Sequence, residues 1–432
     1  MARTPEGLRS VVLVEGVRTP FLRSQTAFTD LMSYELGAMA VAGLLARTRI
    51  DPKSVDRLIM GTVLSDPRTT NLAREVAMSC GLPRECPAFT VTSACVSALV
   101  AAGSAVEAIA SGQADVVVAG GAESLSDAPI RLRRAVRKRL MAAQKAKGIG
   151  GWLALAKGLK LTDLLPEVPA IAEFTTGLTM GECGERLAKR LGITREEQDS
   201  FALSSHLRAA RATADGILAE EIVPALVPPG FTPIAEDNGI RADSTLERLA
   251  RLPPAFDRRF GTITAGNSSF LTDGAAACLF ASEERARELG LVPRARVAAT
   301  ALVAMDPLEE LLLGPVFALP KALDRAGIAL DEVGVFEIHE AFAAPVVAAT
   351  KLLADEAYCR ERLGRKGAVG KIPPEKLNAW GGSLSLGHPF GATGARLLTT
   401  CAHRMEREGA RWGVVTACAA GALGHAFVLE RA

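Results

Sequence analysis

The sequence is poor in several features that point to particular classes of protein. Aromatic residues make up 5% of its 432 residues, and no run of basic residues alternates with aromatic ones, which argues against nucleic-acid binding by base stacking. The formal net charge is +2, so no overall field attracts a polyanion. No window holds the roughly 18 uninterrupted apolar residues that a membrane span needs. We therefore predict no nucleic-acid partner and no membrane span.

Targeting and metal-binding patterns are also missing. The N-terminal stretch MARTPEGLRS has no apolar core of a signal peptide, so we expect a cytoplasmic location. The eight cysteines form no CxxC pair and show no zinc-ligand spacing with the five histidines. We predict reduced thiols and no metal site.

Short apolar runs alternate with helical stretches rich in alanine and leucine. The runs VVLVEG (11–16), DVVVAGG (115–121) and WGVVTACA (412–419) show no polar alternation. Strands of this kind are usually buried on both faces, which indicates an α/β fold. The length predicts two or three domains.

Two segments of the chain resemble each other. Around Cys95 and around His388, a turn of small residues opens a helix, and a buried-looking strand follows. Two facing copies of such a unit would bring both turns to one interface. Because many α/β proteins contain similar units, periodicity alone leaves duplication open.

The settings of three side chains favour catalytic chemistry. Cys95 lies where a strand gives way to a helix, and a helix N-terminus lowers the pKa of a thiol and offers N–H groups to an oxyanion. His388 lies in a glycine-rich turn, and His339 ends a strand beside Glu340. A lone histidine is more often structural, but this combination favours catalysis.

Residues 131–160 carry ten Lys or Arg and no acidic residue. Leu132, Val136 and Leu140 recur every four residues, as in an amphipathic helix. Three interpretations stay open for this segment: a solvated face, an anionic membrane surface, or docking onto an acidic partner.

Seven ordered blocks resemble the thiolase family, which includes 3-ketoacyl-CoA thiolases and acetyl-CoA acetyltransferases. The resemblance covers nearly the whole chain, and HEAFA with NSSFLTDGAAA makes it closest to the β-subunit type of the trifunctional fatty-acid oxidation enzyme. The blocks are GVRTPF (16–21), TSACVSAL (92–99), ASGQADVVVAGGAES (110–124), GTITAGNSSFLTDGAAA (261–277), HEAFA (339–343), NAWGGSLSLGHPFGATGAR (378–396) and TACAAGALGHA (416–426).

The resemblance implies an α/β fold of two duplicated βαβαβαββ halves in an α/β/α/β/α arrangement. Residues 1–125 and 251–285 would form the N-terminal half, 126–250 an inserted loop domain, and 286–432 the C-terminal half. A homodimer or tetramer, a hydratase/dehydrogenase α subunit and peripheral membrane contact through residues 131–160 are also implied.

The resemblance assigns roles by position. Cys95 matches the nucleophile that becomes acylated, His388 the base that takes its proton, and Cys418 a second cysteine that shuttles a proton. His339 stands where many members have an asparagine that holds a water facing the thioester oxygen, and unlike asparagine it can titrate. The N–H of Ala420, where many members have glycine, would line an oxyanion hole.

Ser269 and Phe342 match residues that contact the pantetheine arm of coenzyme A. The resemblance implies coenzyme A as a substrate, acyl-CoA as its partner, and no bound cofactor. The remaining cysteines and histidines are predicted to be structural or incidental. They are Cys80, Cys86, Cys183, Cys278, Cys359, Cys401, His206, His403 and His425.

The implied reaction is thiolytic cleavage of 3-ketoacyl-CoA in fatty-acid β-oxidation, by ping-pong acyl transfer through a cysteine thioester. Three alternatives stay open. The chain could be a biosynthetic acetoacetyl-CoA thiolase, a decarboxylating ketoacyl synthase that uses one cysteine and two histidines, or a non-catalytic scaffold subunit.

Overall fold

The chain folds into a main unit and a small inserted unit. A computed structural model describes residues 7–145, 147–167 and 172–432. The chain divides at Asp127 and Ala172, and the segment between these residues forms the small unit. By their contacts, residues 172–250 of the expected loop domain belong to the main unit.

Strands and helices alternate along much of the chain, as the sequence pattern predicts. The strands are β1 (Val11–Arg18), β2 (Leu22–Arg23), β3 (Arg57–Gly61), β4 (Ala88–Val91), β5 (Val116–Glu123), β6 (Arg131–Leu132), β7 (Pro166–Glu167), β8 (Ala225–Val227), β9 (Thr232–Ile234), β10 (Thr272–Ser282), β11 (Ala295–Ala304), β12 (Val333–Ile338), β13 (Trp412–Ala419) and β14 (Leu423–Arg431). The helices are α1 (Ser33–Thr48), α2 (Leu72–Ser79), α3 (Ser97–Ala110), α4 (Arg134–Ala143), α5 (Gly148–Ala156), α6 (Met180–Arg190), α7 (Arg195–Ala214), α8 (Leu246–Ala250), α9 (Glu283–Glu288), α10 (Gly314–Ala326), α11 (Ala343–Ala354), α12 (Glu356–Leu363), α13 (Ser383–Leu386) and α14 (Thr393–Glu408).

The central sheet contains the same arrangement of strands twice. Its order is β12-β13-β14-β11-β1-β10-β5-β3-β4, with β2 beside β10. In the N-terminal half β3 runs parallel to β5, and β10 and β1 follow antiparallel. In the C-terminal half β12, β13, β14 and β11 repeat that order and those directions. The predicted duplicated α/β fold is confirmed.

The helices complete a layered arrangement. Helix α3 packs on β3 and β5, helix α14 packs on β12 and β13, and the two helices contact each other between the halves. Helix α1 covers the outer face of the N-terminal strands, and α10 covers the C-terminal ones. Every residue of β5 and β13 is buried, as expected for unbroken apolar strands inside such layers. This packing places the turns before α3 and α14 side by side.

The small inserted unit contains the antiparallel pair β6–β7 and helices α4 and α5. Of the three apolar positions that predicted an amphipathic helix, Val136 is buried, while Leu132 and Leu140 are exposed. Ile149 and Trp152 of α5 are also exposed. Among the described residues, no helix is both long enough and apolar enough to span a membrane.

Candidate active site

The turn between β4 and α3 presents Cys95. Ala94, directly before it, has a φ of +48°, a left-handed conformation that is strained for a residue with a Cβ. Ser97 stabilises this turn, because its Oγ accepts a hydrogen bond from the N–H of Ser93 (2.8 Å) and donates one to the carbonyl of Ala94 (2.7 Å). Cys95 is half-buried and has no disulfide partner.

Burial governs the ionisation of Cys95. It raises the pKa of the thiol to about 12, although the N–H groups of Ala420 and of Cys95 itself lower it. The expectation of a lowered pKa at a helix N-terminus is therefore wrong for the resting protein, because desolvation of the thiolate outweighs the nearby N–H groups. Those two N–H groups nevertheless favour negative charge at the sulfur, so they can stabilise an oxyanion that forms there.

His388 lies in the turn between α13 and α14, as its glycine-rich surroundings predict. Gly387 has a φ of +102°, and a Cβ there would collide with Thr272, so this turn requires glycine. The backbone N–H of His388 donates to Oγ1 of Thr272 at 3.0 Å. Its Nδ1 lies 2.6 Å from Oγ1 of Thr393. Burial lowers the pKa of His388 well below its usual value, which keeps the imidazole neutral.

His339 follows β12 and lies against His388, with the two ring centroids 4.1 Å apart. Its backbone N–H donates to the carbonyl of Thr416 at 2.9 Å, and its Nδ1 lies 3.0 Å from Oγ of Ser383. Burial, and then the positive charge of Arg396, lower the pKa of His339 to about 3. Although histidine can titrate where asparagine cannot, this one stays neutral at physiological pH.

The two halves bring the predicted residues together. The sulfur of Cys95 and one ring nitrogen each of His339 and His388 all lie within 4.8 Å of one another. The Nε2 atoms of both histidines are buried without a hydrogen-bond partner among the described residues. One thiol and two imidazoles are also ligands that can bind a soft metal ion. The spacing of these residues in the sequence does not reveal that they lie close together.

Cys418 lies near the end of β13, next to Cys95. Burial, and to a smaller extent the neighbouring sulfur of Cys95, raise the pKa of Cys418 to about 12. Close packing by glycines holds this strand end, because a Cβ on Gly314 would come within 2.9 Å of the Cα of Cys418. The N–H of Gly421, just past Ala420, donates to Oε1 of Glu173. The segment after Cys418 is therefore held in place beside the thiol of Cys95.

The two residues predicted to contact coenzyme A lie on segments joined by hydrogen bonds. Both the N–H and the Oγ of Ser269 donate to the carbonyl of Ala341 at 3.0 Å. The ring of Phe342, the next residue, packs edge-on against Phe256 with the centroids 6.0 Å apart. Their contact with coenzyme A stays a prediction.

Glu123 is a site residue that the sequence analysis did not identify. Its buried carboxylate accepts hydrogen bonds from the N–H groups of Val63 (3.0 Å) and Leu64 (2.9 Å) in one half, and from Gly391 (2.9 Å) in the turn of the other half. Burial raises the pKa of Glu123 to about 7. The only signal was its position, as an acidic residue ending the apolar block DVVVAGGAE. It ties the His388 turn to the half that carries Cys95.

The remaining histidines lie outside this cluster. His403 Nε2 lies 2.9 Å from Oε1 of Glu15, and His206 Nδ1 accepts from the N–H of Arg241 at 3.2 Å. His425 lies on β14, where its ring packs against Phe427 and α3.

Family models match the two halves. The model described as "Thiolase, N-terminal domain" matches residues 11–284, and the model described as "Thiolase, C-terminal domain" matches residues 291–431. The first match ends within α9, and the second begins just before β11, where the second set of strands starts.

Curated relatives and solved structures are similar over nearly their whole length. "Trifunctional enzyme subunit beta, mitochondrial" of Bos taurus is 48% identical over 98% of this chain and 88% of the relative. "3-ketoacyl-CoA thiolase" of Escherichia fergusonii is 45% identical over 97% and 96%. The crystal structure of acetyl-CoA acetyltransferase from Bacillus anthracis has a TM-score of 0.86 at 31% identity, over 99% of this chain and 100% of that one. Human mitochondrial 3-ketoacyl-CoA thiolase has a TM-score of 0.83 at 30% identity, over 98% and 99%.

Proposed function

The chain belongs to the thiolase family, and on this premise we propose that it cleaves 3-ketoacyl-CoA with coenzyme A in fatty-acid β-oxidation. The products are acetyl-CoA and an acyl-CoA shortened by an acetyl unit. The observation that carries the proposal is the convergence of Cys95, His339 and His388 within 4.8 Å. The names of the bovine and bacterial relatives support the substrate class. Coenzyme A acts as a substrate, and we assign no bound cofactor.

In the first step, the thiol of Cys95 attacks the 3-keto carbon. Because the thiol is neutral at rest, its proton must move to a base during the attack, and the neutral imidazole of His388 is placed to accept it. The new C–S bond turns the ketone oxygen into an alkoxide. The N–H groups of Cys95 and Ala420 can hold that oxygen, which stabilises the tetrahedral adduct.

In the second step, the alkoxide collapses and the bond between the α and β carbons breaks. The electron pair of that bond passes into the enolate of acetyl-CoA, and the acyl group stays on Cys95 as a thioester. His339 can donate a hydrogen bond to the enolate oxygen, and Cys418 donates its proton to the α carbon. Acetyl-CoA then leaves, and Cys418 is left as a thiolate.

In the third step, the thiolate of Cys418 takes the proton of incoming coenzyme A and returns to a thiol. The thiolate of coenzyme A attacks the acyl carbon, and Cys95 leaves with the electrons of the C–S bond. Cys95 then recovers its proton from His388, so both resting groups are neutral again. The scheme is ping-pong acyl transfer with one covalent intermediate.

Product analysis tests this proposal. A long 3-ketoacyl-CoA incubated with enzyme and coenzyme A should yield acetyl-CoA and the shortened acyl-CoA, and omission of coenzyme A should stop turnover. Cys95→Ser should lower kcat by roughly 10³-fold or more, because a hydroxyl is a far weaker nucleophile. Cys86→Ser, which changes a cysteine outside the site, is the matched control. A Cys95→Ser enzyme that retains wild-type turnover would contradict the proposal.

Two other activities use the same groups. The structural similarity to the Bacillus anthracis acetyltransferase favours acetoacetyl-CoA thiolase activity as a second candidate. A kcat/KM for acetoacetyl-CoA far above that for long 3-ketoacyl-CoA would select it. One cysteine with two histidines also suits a decarboxylating ketoacyl synthase, which requires a malonyl thioester that a thiolase does not use.

We also propose that the small inserted unit binds an anionic membrane surface. Ile149 is 81% exposed and Trp152 is 59% exposed, in a segment with ten basic residues. Apolar side chains amid positive charge suit insertion between anionic headgroups. An acidic surface on a hydratase/dehydrogenase α subunit is the competing occupant, which the name of the bovine relative suggests.

Charge neutralisation tests this surface. Replacing Arg133, Arg134, Arg137 and Lys138 with glutamine should weaken co-sedimentation with anionic vesicles and leave turnover of soluble substrate nearly unchanged. Unaltered co-sedimentation would contradict the proposal and favour the interpretation of this segment as a solvated face. The matched control removes four exposed charges of the main unit, at Arg49, Arg84, Lys321 and Lys366.

A homodimer or tetramer and a cytoplasmic location are further proposals. The family resemblance supports the first. For the second, a mitochondrion is the competing location, because the bovine relative is named as mitochondrial. Sedimentation of the purified protein and fractionation of its host cells test them.

A further inference from the structure

The hydroxyl behind His388 determines which of its ring nitrogens carries the proton. Oγ1 of Thr393 lies 2.6 Å from Nδ1 of His388 and also donates to the carbonyl of Pro389 at 3.0 Å. A hydroxyl has one proton, and a carbonyl can only accept, so that proton points at Pro389. Oγ1 must then accept from His388, whose Nδ1 carries the hydrogen. Nε2 of His388 is therefore a bare lone pair.

The hydroxyl next to Nδ1 of His339 is that of Ser383, and it donates its proton to the ring instead of accepting one. Oγ of Ser383 lies 3.0 Å from Nδ1 of His339 and accepts a hydrogen bond from Nη2 of Arg396, also at 3.0 Å. A guanidinium can only donate, so it leaves the proton of Ser383 free. Among the described residues, His339 Nδ1 is the acceptor within reach of that proton. His339 Nδ1 is therefore the lone pair, and Nε2 carries the hydrogen.

Buried charges hold Arg396 in this orientation. Its side chain has no exposed surface, and its Nη1 lies 3.5 Å from Oε2 of Glu337. The other oxygen of Glu337 pairs with Arg404 at 2.7 Å, and Arg404 also donates to the carbonyl of Lys376 at 3.0 Å. A buried cation tied in this way cannot turn away without leaving unpaired charge, which is costly.

We propose that Ser383 and Arg396 are positioning residues that fix the proton of His339 on Nε2, so that two touching imidazoles keep opposite tautomers. His388 then presents a bare nitrogen to the thiol, and His339 presents an N–H to the substrate oxygen. The division of labour between base and hydrogen-bond donor is thus set by the hydroxyls behind the rings. The catalytic consequence rests on the proposed thiolase function, whereas the tautomers do not.

The removal of one hydroxyl tests the catalytic consequence. Ser383→Ala should lower kcat by about 10-fold to 100-fold with little change in KM, because the N–H of His339 is required in the transition state. Ser383→Thr retains a hydroxyl and should recover most of the loss. Ser385→Ala, in the same turn, removes a buried hydroxyl that bonds Ser205 and the carbonyl of Gly382 but neither imidazole, and should leave kcat within about twofold. Equal losses in the two alanine variants would overturn the proposal.

Nitrogen NMR of histidine-labelled protein reads the tautomers without turnover. In the wild type, His339 should be protonated on Nε2 and His388 on Nδ1, with signals assigned from His339→Asn and His388→Asn. In Ser383→Ala, His339 should become a mixture of tautomers while His388 stays unchanged. A wild-type His339 protonated on Nδ1 would overturn the proposal, whatever reaction the enzyme catalyses. Opposite tautomers in an enzyme without thiolase activity would instead refute only the proposed function.

Discussion

Cys95 rests as a neutral thiol beside two neutral imidazoles. Burial raises the pKa of the thiol to about 12 and lowers the pKa values of His339 and His388. A thiolate–imidazolium pair would place two charges in a site that disfavours both. The nucleophile is therefore generated when the substrate arrives, by proton transfer to His388, and is not stored.

The rate of alkylation of the free enzyme reports this neutral state. We expect inactivation by iodoacetamide to speed up by about tenfold per pH unit between pH 7 and pH 9, because only the thiolate reacts and its fraction grows in that proportion below its pKa. The rate constant is measured from residual activity, with the modified residue identified as Cys95. A pH-independent rate over this interval would indicate a stored ion pair instead.

Local sequence identified the reacting residues but not their protonation. Cys95 and His388 stand out because small residues and glycines surround them. The hydroxyl of Ser383 and the guanidinium of Arg396 act through contacts between residues separated in the chain, and no local pattern reports those contacts. The thiol pKa was mispredicted because the helix N-terminus is visible in sequence and burial is not.

At the scale of elements, the turn between β4 and α3 stores strain next to the nucleophile. Ala94 adopts a φ of +48°, a conformation that costs a non-glycine residue roughly 1–2 kcal/mol. The hydrogen bonds of Ser97 to both sides of the turn hold the backbone in this form. The turn held in this form places the sulfur of Cys95 within 4.8 Å of ring nitrogens of His339 and His388, which belong to the C-terminal half.

Ala94→Gly tests whether this strain matters. The variant should gain up to about 1 kcal/mol in free energy of unfolding, because glycine adopts positive φ without a clash. Its kcat should fall several-fold, since the thiol is positioned less firmly. Chemical denaturation and steady-state kinetics measure the two effects. A gain in stability with unchanged kcat would show that the strain is incidental.

A control at a surface turn distinguishes the effect of strain next to Cys95 from the effect of a general change in stability. Gly112 has a φ of +77°, and a Cβ added there would have no other atom closer than 3.9 Å, so Gly112→Ala introduces the same kind of strain far from the reacting groups. It should lose about 1 kcal/mol of stability and keep the wild-type kcat.

The regular elements near the site follow from the sequence pattern. The run WGVVTACA coincides with β13, and the run DVVVAGG begins one residue before β5. The turns are less predictable, because LIMGTVL (58–64) continues as an apolar run while β3 ends at Gly61. Gly61 packs directly on Ser97 and Ala98 at the start of α3, so a side chain at this position would clash with the helix.

At the scale of the whole molecule, duplication explains how the site forms. In each half, a turn leads into a buried helix. These two helices, α3 and α14, contact each other between the halves. Cys95 comes from one turn and His388 from the other, and Glu123 joins the two through Gly391. The sequence suggested two similar units, but the repeated strand order that establishes duplication is visible only in the sheet.

Buried neutral histidines make the folded molecule sensitive to acid. Burial lowers the pKa of His425 to about 4 from its usual 6.5. Between these values the unfolded chain binds a proton that the folded chain does not, so stability falls as pH decreases from 6.5. His425→Gln removes this loss of about 1 kcal/mol per pH unit. Between pH 7.5 and pH 5.5, the free energy of unfolding of the variant should therefore increase relative to that of the wild type.

The quantity compared is the change in unfolding free energy between the two pH values, measured separately for the variant and for the wild type. Any packing cost of glutamine is the same at both pH values and therefore cancels. The same gap between variant and wild type at both pH values would mean that His425 does not titrate on unfolding.

Mass spectrometry of the acylated enzyme tests the central claim most directly. The wild-type protein, incubated with a 3-ketoacyl-CoA and no free coenzyme A, should gain the mass of the shortened acyl group. Peptide mapping should place that group on Cys95, and added coenzyme A should remove it as acyl-CoA. Cys95→Ala should remain unmodified. An acyl group found on Cys418 or on no residue, in an enzyme that still cleaves the substrate, would contradict the account.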